Sequence, residues 1–575
     1  MRPIIYQTFP RTFSADSTTC TPYGTIEENG CGKLNDYTAK TLKQIRSLGC
    51  THIWYTGILR HATLTDYSAY GIPTQHPQVV KGRAGSPYAI CDYYDTDPDL
   101  AVDIPGRMKE FDALVSRTHR AGLKMIIDFV PNHVARQYHS VTKPVGIRDL
   151  GADDDTTIGF TLHNNFYYLP GQSFIAPTTG IAANIVGESS FGEPYHESPA
   201  RATGNDCFSP TPSANDWYET IKLNYGIDCQ NGGNPQDTPG LGSHGSPIPS
   251  TWHKMLDIMR FWATRGVDGF RCDMAEMVPC AFWTWAIAQI KSEHPGIIFI
   301  AEVYNPDLYR RFIHDAHFDY LYDKVGLYDT LRRIIGGGSA STLTPCWQAT
   351  DDIASHMLAF LENHDEQRIA SQYLANDPRR ALPAMLVAAL MHRGPVMIYQ
   401  GQALGEPGMD SEGFSGQDGR STIFDYWTID TLRRWRNGGK YTTTQLTANE
   451  RSLLAYYSKL LNLVNSHKAL YDGRMFDLMY ANYDNPQMDT NHQFAFLRRA
   501  DGELILVVTN FEDKSVDTAV NIPAHAFSYL NITQGPAFAT DLLTDTTQTI
   551  DLLPDTAIPL TIPPLGGIVL RMEVK

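Results

Sequence analysis

The sequence predicts a (β/α)8 TIM barrel with an irregular insertion domain after the third strand and a C-terminal antiparallel β-sandwich. Eight short apolar or β-rich runs occur along most of the chain, and helical patterns lie between many of them. Strands that alternate with helices are typical of a (β/α)8 barrel, with a doubly wound parallel sheet as the alternative. After about residue 470 the strand-like runs follow one another more directly, which is typical of an all-β domain.

The eight strand candidates are runs such as "IIYQTF", "LKMIIDFV" and "GIIFIAEV". They begin at Ile4, Thr51, Leu123, Gly266, Gly296, Phe318, His356 and Gly394. Just before the fourth strand, the apolar residues recur at helical spacing at Met255, Ile258, Met259 and Trp262. The hydrophobic period therefore alternates between strand and helix, as a barrel requires.

The connection between the third and fourth strands is too long to be a structureless loop in a compact fold. We expect it to form a small irregular domain, residues 135–250. The barrel then comprises residues 1–134 and 251–469, and the β-sandwich comprises residues 470–575. Within the sandwich, Asp501 and Gly502 separate two alternating runs, which predicts a hairpin.

The composition excludes some partners. The chain of 575 residues has a net charge of −16, with 42% hydrophobic and 19% charged residues, which is an ordinary globular mixture. Nucleic acids and anionic membrane surfaces require basic patches, so neither is an expected partner. An uncharged substrate such as a sugar is compatible with this charge. The sequence does not specify the oligomeric state.

The cellular compartment is expected from the N-terminus and the cysteines. "MRPIIYQTFP" lacks the apolar core and cleavage site of a signal peptide, and the longest apolar run, Ala381 to Met391, is too short to span a bilayer. The nine cysteines are odd in number and scattered, which favours free thiols, with a Cys207–Cys229 disulfide as the alternative. We expect a cytoplasmic protein if Met1 is the native start, and a periplasmic or secreted protein if the natural chain begins earlier.

Polar clusters follow four of the strand candidates, at the barrel end where chemistry occurs in this fold. Arg271 and Asp273 lie two positions apart on one strand, so their side chains point to the same face, whereas Cys272 faces away. The pair is either a structural ion pair or a device that keeps Asp273 ionised. The other clusters contain Asp128, Asn132 and His133, then Glu302, and then Asn363, His364, Asp365 and Arg368.

The three carboxylates Asp273, Glu302 and Asp365 indicate acid–base chemistry. Crowded carboxylates cannot all ionise freely, so one of them becomes a proton donor beside an ionised neighbour. Retaining glycoside hydrolysis requires such a pair. Three acids also suit a divalent metal and phosphoryl transfer, but that chemistry favours phosphate-binding glycine loops or lysine clusters, which the sequence lacks.

These stretches resemble the α-amylase superfamily, glycoside hydrolase family 13. The motifs "DFVPNHV", "GFRCDMAE", "FIAEVY" and "ENHDEQR" occur in the family's order, and "SPYAICDYYDTDPDLA", "WYETIKLNYG" and "IYQGQALGE" are also similar. The resemblance covers nearly the whole chain. It implies that Asp273 is the nucleophile of a covalent intermediate, that Glu302 is the acid and then the base, and that Asp365 binds sugar hydroxyls and helps to distort the ring.

The resemblance also implies substrate contacts outside the carboxylates. It implies that Arg271 holds Asp273, that Tyr88 stacks on the reacting sugar, and that Arg368 reaches the site from beyond Asp365. His133 and His364 would bind sugar hydroxyls. Asn132 is a possible calcium ligand in this family, although no cofactor is expected to be required.

Two positions depart from the family's pattern. Many α-amylases have Lys-His shortly after the nucleophile, with the His carbonyl on calcium, whereas this chain has Glu276-Met277. Many relatives place His or Asp two residues before the stacking Tyr, whereas this chain has Ser86. The first departure weakens the case for calcium, and the second puts a contact to the sugar's 6-hydroxyl in doubt.

The resemblance implies a retaining enzyme that cleaves α-1,4-glucosidic bonds of starch, glycogen or maltooligosaccharides. Hydrolysis and transglycosylation share the covalent intermediate, so a glucanotransferase, a maltosyltransferase or an α-glucosidase is the alternative within the class. A non-catalytic glucan-binding protein on the same barrel is the more distant alternative, because a fold does not guarantee activity.

Overall fold

The structure is a computed structural model that describes residues 1–177, 193–237, 248–409 and 417–573. Eight parallel strands form the barrel, as predicted. They are β1 (Ile4–Thr8), β2 (His52–Tyr55), β3 (Lys124–Phe129), β4 (Gly269–Cys272), β5 (Ile298–Ala301), β6 (Tyr320–Tyr322), β7 (Met357–Leu358) and β8 (Val396–Tyr399). Each strand from β1 to β6 pairs with the next, β8 pairs with β1, and a single bridge between Ala359, just after β7, and Val396 of β8 closes the ring.

Helices surround the strands, as the alternating pattern predicts. The longer ones span Ala39–Ser47, Arg107–Arg120, Ser250–Thr264, Cys280–Glu293, Ala381–Leu390 and Ala448–Ser466. Shorter ones span Pro10–Phe13, Ile26–Asn29, Tyr309–His314, Asp329–Ile335, Leu343–Gln348, Asp430–Arg436 and Lys468–Tyr471, and a π-helical turn spans Lys324–Tyr328. The residues at helical spacing before β4 are buried in one helix, which confirms that pattern.

Large side chains fill the inside of the barrel below the C-terminal ends of its strands. One interior cluster contains Ile5, Trp54, Ile126, Ile300, Tyr322, Leu358, Phe360 and Met397, all at most 1% exposed. Alternate residues of the same strands point outward into the larger core shared with the helices. Because the interior is packed, polar side chains can converge only above it, where the strands end.

The connections after β2 and β3 carry small antiparallel pairs. Leu59–His61 pairs with Ile90–Thr96 between β2 and β3. Between β3 and β4, His133–Ala135 pairs with Thr220–Lys222, and Tyr168–Leu169 pairs with Ala200–Arg201. This second connection is the predicted insertion, and its first pair begins directly at His133. The domain boundaries given above stay predictions.

The C-terminal region is all-β, as predicted, apart from a helix at Ala524–Leu530. Its six-stranded antiparallel sheet has the order Arg474–Asp477, Gln493–Ala500, Glu503–Asn510, Gly566–Glu573, Gly535–Asp541, Thr547–Leu552. A second sheet pairs Val516–Ile522 with Thr556–Ile562. The hairpin at Asp501 and Gly502 is confirmed, because Ala500 pairs with Glu503 across these two residues.

All nine cysteines are free thiols, including Cys207 and Cys229, so the alternative disulfide does not form in this structure. Within the described part of the chain, no helix combines the length and the apolar character needed to cross a membrane.

Candidate active site

A cavity of about 250 Å³ lies at the C-terminal ends of the barrel strands. Its lining includes Tyr88, His133, Asp273, Glu302 and Asp365. The structure therefore brings together all three predicted catalytic carboxylates and two of the predicted substrate-binding residues.

Arg271 joins two of the carboxylates from below. Its Nη1 donates a hydrogen bond to Oδ1 of Asp273 at 2.8 Å, and its Nη2 forms an ion pair with Oε1 of Glu302 at 2.8 Å. The guanidinium is fully buried, next to the rings of Trp54 and Tyr322. A buried cation between two buried acids offsets the cost of removing their charges from water. The pair at the end of β4 is thus part of a wider cluster than an isolated ion pair.

Glu302 is held from several sides at the end of β5. In addition to Arg271, the hydroxyl of Tyr304 donates to Oε1 at 2.6 Å, and the backbone N–H of Met274 donates to Oε2 at 2.8 Å. Met274 directly follows Asp273 and has φ of +43°, the left-handed region that a side chain with a Cβ seldom adopts. This turn aims the backbone N–H at Glu302.

His364 links the β7 end of the site to β1. The side-chain amide of Gln7 donates to Nδ1 of His364 at 2.7 Å, so the imidazole carries its proton on Nε2. That Nε2 lies 3.1 Å from Oδ2 of Asp365 and also contacts the hydroxyl of Tyr88. Burial and the charge of Arg271 lower the pKa of His364 well below its usual value, so the ring stays neutral.

Asp128 does not line the cavity but lies beside Arg271. Its Oδ2 accepts from the indole N–H of Trp54 at 3.0 Å, and its Oδ1 is 3.4 Å from Nη1 of Arg271 and from the hydroxyl of Tyr88. Burial raises the pKa of Asp128 to about 6 despite the nearby guanidinium. Asp128 therefore orients the groups under the site.

Two of the cavity carboxyls, those of Asp365 and Asp273, have raised pKa values. Burial and then the neighbouring Glu302 raise the pKa of Asp365 to about 7. Burial and the charges of Glu302, Asp128 and Asp365 also raise the pKa of Asp273, while Arg271 opposes them. Such a cluster retains protons near neutral pH, which is the condition for a donor beside an ionised acid.

Comparison with known families identifies the chain. The profile described as the alpha amylase catalytic domain matches residues 7–151 and 248–473, which is more than half of the chain. The protein belongs to the α-amylase family. The profile of the alpha amylase C-terminal all-beta domain matches residues 483–573 of this family member.

Individual relatives agree with this assignment. The protein is 25% identical over 412 residues to alpha-amylase MalA of Haloarcula japonica, with 70% of this chain and 44% of MalA covered. A shorter stretch of 69 residues, 12% of either chain, is 33% identical to an alpha-1,4-glucan:maltose-1-phosphate maltosyltransferase of Cereibacter sphaeroides. The chain thus spans less than half the length of these curated relatives. The maltogenic alpha-amylase AmyB from Thermotoga neapolitana shares the fold, with a TM-score of 0.60, 18% identity, and 100% and 99% of the two chains covered.

The prediction that Arg368 reaches the substrate site is wrong. This side chain does not line the cavity. It is fully buried, and its Nη1 donates to Glu362 and to the carbonyl of Gln400, each at 2.9 Å, while Nε donates to Ser421 at 3.1 Å. Because the guanidinium is committed to these partners, Arg368 connects the loops after β7 and β8 instead of reaching the substrate.

The remaining predicted binding residues lie at or next to the cavity. The ring of Tyr88 packs 5.4 Å from that of His364, and His133 packs 5.2 Å from the ring of Trp217. Burial and the charge of Lys222 lower the pKa of His133 to about 3, so this imidazole is neutral. Ser86, the departure before Tyr88, lines the cavity too, and its hydroxyl accepts the N–H of Tyr88 at 3.2 Å. Cys272 is buried in the outer core and faces away from the cavity, as predicted.

Asn132 does not fit a calcium site in this structure. Its Oδ1 accepts from the ammonium of Lys222 at 3.0 Å, and its amide donates to the carbonyl of Gly204 at 2.7 Å. The same ammonium forms an ion pair of 2.6 Å with Asp206. A buried lysine thus already supplies the positive charge between the barrel loop and the insertion, where a divalent ion would repel it.

We expect Lys222→Met to lower the free energy of unfolding by about 2 kcal/mol, because it leaves Asp206 and Asn132 without their cation. This loss of stability is smaller than that expected for a fully buried ion pair, since the side chain of Asp206 is 33% exposed. Thermal unfolding with and without EDTA measures the loss of stability and any contribution of a divalent ion. EDTA should leave the melting temperatures of the wild type and the variant unchanged. Lys143→Met, which removes a partly exposed pair with Asp149 in the same region, is the matched control and should change stability by less than about 1 kcal/mol. A lower melting temperature of the wild type in EDTA would contradict this account.

A second prediction concerns pH. Because the pKa of Asp273 is raised, kcat/KM should fall on acidification with a midpoint above the usual aspartate value of 3.8. Asp128→Asn removes one of the negative charges that raise this pKa, so the midpoint should move to lower pH. The measurement is a pH profile of kcat/KM for both proteins. An unchanged midpoint would show that Asp128 does not act on the nucleophile electrostatically.

Several residues of the cavity wall were not predicted from the sequence. The lining also includes Lys81, Trp217, Glu219, Thr220, Met274, Tyr304, Arg420, Ile423 and Phe424. Trp217 and Glu219 lie in the stretch "WYETIKLNYG" and Tyr304 in "FIAEVY", so their neighbourhood carried a signal although their individual roles did not. Phe424, in the loop after β8, has no motif that distinguishes it from an ordinary core aromatic.

Proposed function

We propose that this protein is a retaining glycosidase that acts on α-1,4-glucosidic bonds of starch, glycogen or maltooligosaccharides. The observation that carries the proposal is the position of Asp273 and Glu302 on one guanidinium at the wall of a single cavity. One guanidinium in contact with both acids keeps them close together, and a retaining mechanism requires a close pair, with carboxyl groups about 5 Å apart.

The proposed reaction has two steps. Asp273 attacks the anomeric carbon while Glu302 gives its proton to the leaving oxygen, and a glycosyl ester forms on Asp273 as the glycosidic bond breaks. Glu302, now ionised, then takes a proton from water, whose oxygen displaces Asp273. No cofactor enters either step, because Arg271 and the neighbouring acids supply the charges.

The cavity wall offers groups that suit a sugar. Asp365 presents a carboxyl group to ring hydroxyls, and Tyr88 and Trp217 present aromatic rings. Glu219 also lines the cavity, and its buried Oε2 has no hydrogen-bond partner among the residues that the structure describes. A sugar hydroxyl would satisfy this oxygen, which supports an uncharged polyhydroxyl ligand over an anionic one.

Transglycosylation is the second candidate, because an acceptor sugar can replace water in the second step. The similarity of one short segment to a maltosyltransferase supports this candidate. An α-glucosidase on the same scaffold would differ only in how many sugar units the cavity accepts.

The experiment is a time course with purified protein and maltoheptaose in which every product is separated by length. Hydrolysis gives products shorter than the substrate and a rising number of reducing ends. Transfer gives both shorter and longer products with a constant number of reducing ends. If maltoheptaose and other α-glucosides bound to the protein but remained unchanged, a glucan-binding protein would be favoured and the proposal would be overturned.

A further inference from the structure

Tyr304 is a cavity residue that contacts the proposed acid directly. It lies two residues after Glu302, and its hydroxyl donates to Oε1 of Glu302 at 2.6 Å. Burial and the charge of Glu302 raise the pKa of this phenol well above its usual value, so it is a neutral donor at any working pH. The group can therefore orient Glu302 without exchanging its own proton.

Glu276 holds the backbone that carries Tyr304. Its Oε2 accepts the N–H groups of Tyr304 and Asn305, at 3.0 and 2.9 Å. Glu276 belongs to the short turn Ala275–Met277 after β4, so one side chain connects the turn that follows the nucleophile with the loop that follows the acid. A side chain that accepts two backbone N–H groups fixes the loop more strongly than a single contact.

The turn Ala275–Met277 also forms hydrogen bonds with the insertion. The side-chain amide of Gln236 donates to the carbonyls of Glu276 and Val278, at 2.5 and 2.9 Å. Glu276 is the position at which the sequence departs from the pattern of many α-amylases. The departure thus has a structural consequence, which is a fixed loop beside Glu302.

The two oxygens of Glu302 are not equivalent. Oε1 faces the guanidinium of Arg271 at 2.8 Å and accepts from Tyr304, whereas Oε2 accepts, among the residues that the structure describes, only from the N–H of Met274. A proton on Oε1 would lie against a cation and compete with a donor, so the favoured place for the proton is Oε2.

We propose that Tyr304 is a positioning residue that confines the transferable proton of Glu302 to Oε2, and that Glu276 positions Tyr304. The inference rests on the proposed function, in which that proton moves to the leaving oxygen as the glycosidic bond breaks. Tyr304 keeps its own proton throughout. Without the phenol, the carboxyl group can rotate or protonate on Oε1, where the proton cannot reach the substrate.

The test compares two substrates that differ in their need for an acid. Maltoheptaose has a poor leaving group that must be protonated, whereas α-maltosyl fluoride loses fluoride without this help. We expect Tyr304→Phe to lower kcat/KM on maltoheptaose by about 10- to 100-fold, part of the effect of general acid catalysis. On the fluoride, kcat/KM should change by less than about threefold, since it reports only the first step.

A pH profile adds a second readout. The loss of a hydroxyl that donates to a carboxylate disfavours the ionised carboxylate, so Tyr304→Phe should move the basic limb of kcat/KM on maltoheptaose to higher pH. If Tyr304 only packed against its neighbours, Tyr304→Phe would lower kcat/KM equally for both substrates and leave the basic limb of the pH profile in place. Either an equal loss on the two substrates or an unmoved limb would overturn the inference. If the wild type turned over neither substrate, the proposed function would fail instead.

Variants of Glu276 separate its contribution. Glu276→Gln keeps an acceptor oxygen and should retain most of the activity, whereas Glu276→Ala should reproduce the substrate dependence of Tyr304→Phe with a smaller loss. The double variant Glu276→Ala/Tyr304→Phe should lose little more than Tyr304→Phe alone, because both changes act through one contact. Additive losses would show that Glu276 does not act through Tyr304.

Discussion

Asp273→Asn is expected to lower kcat/KM on maltoheptaose by roughly 10⁴-fold or more, the scale of loss when a nucleophile is removed. The amide has the size of the carboxylate and can still accept from Arg271, so the fold should remain. It cannot form the glycosyl ester, because its oxygen is a poor nucleophile. Rates are measured beside thermal unfolding, and a melting temperature within a few degrees of the wild type would show that chemistry alone is lost.

The matched control is Asp128→Asn. Asp128 contacts the same guanidinium, at 3.4 Å, but does not line the cavity. The same chemical change on this side of Arg271 should therefore cost no more than about tenfold in kcat/KM at the optimum pH. If Asp128→Asn lost as much activity as Asp273→Asn, the carboxylates around Arg271 would act as a unit. Near-normal rates for Asp273→Asn would mean that Asp273 is not the nucleophile.

A covalent adduct would identify the residue directly. In Glu302→Gln the second step has no base, so a reactive α-maltosyl fluoride should leave the sugar attached. Mass spectrometry of a proteolytic digest should then find the added mass on the peptide that contains Asp273. The adduct on any other carboxylate of the cavity would contradict the assignment.

The barrel and the catalytic acids could be predicted because both depend on local patterns. Short apolar runs identify strands, and parallel strands of a barrel end at one face, so polar residues after several strands must converge. Asp273 and Glu302 follow adjacent strands, β4 and β5, and the structure places them on one arginine. Their meeting thus follows from strand order rather than from any contact visible in the sequence.

The loops could not be predicted in this way. Arg368 lies only three residues after Asp365, yet the turn between them sends the guanidinium to Glu362 and away from the cavity. Lys222 reaches Asn132 across 90 residues of sequence. Neither contact has a periodic pattern, since loop conformation depends on partners that are distant along the chain.

Arg271→Met is expected to have the largest effect on stability, about 3 to 5 kcal/mol in the free energy of unfolding, because it leaves buried carboxylates without their cation. The loss should depend on pH. Without the guanidinium, the folded-state pKa of Asp273 rises further above its unfolded-state value, so folding becomes less favourable as the pH rises through the unfolded-state pKa and up to the folded-state pKa. Thermal unfolding at several pH values should therefore show the gap from the wild type narrowing as the pH falls. A constant gap would mean that the lost contacts are not ionic.

Arg271→Lys then separates support of the fold from support of the reaction. Lysine keeps the positive charge but is a single point, whereas the guanidinium contacts Oδ1 of Asp273 with one nitrogen and Oε1 of Glu302 with the other. Most of the stability lost in Arg271→Met should return, while kcat/KM should remain roughly 10²- to 10³-fold below the wild type, since no single planar group then holds both acids. The opposite result, an active but unstable protein, would make Arg271 a structural ion-pair partner only. A stable but slow Arg271→Lys variant would show that the rate depends on the spacing of the two acids, and not merely on the neutralisation of their charges.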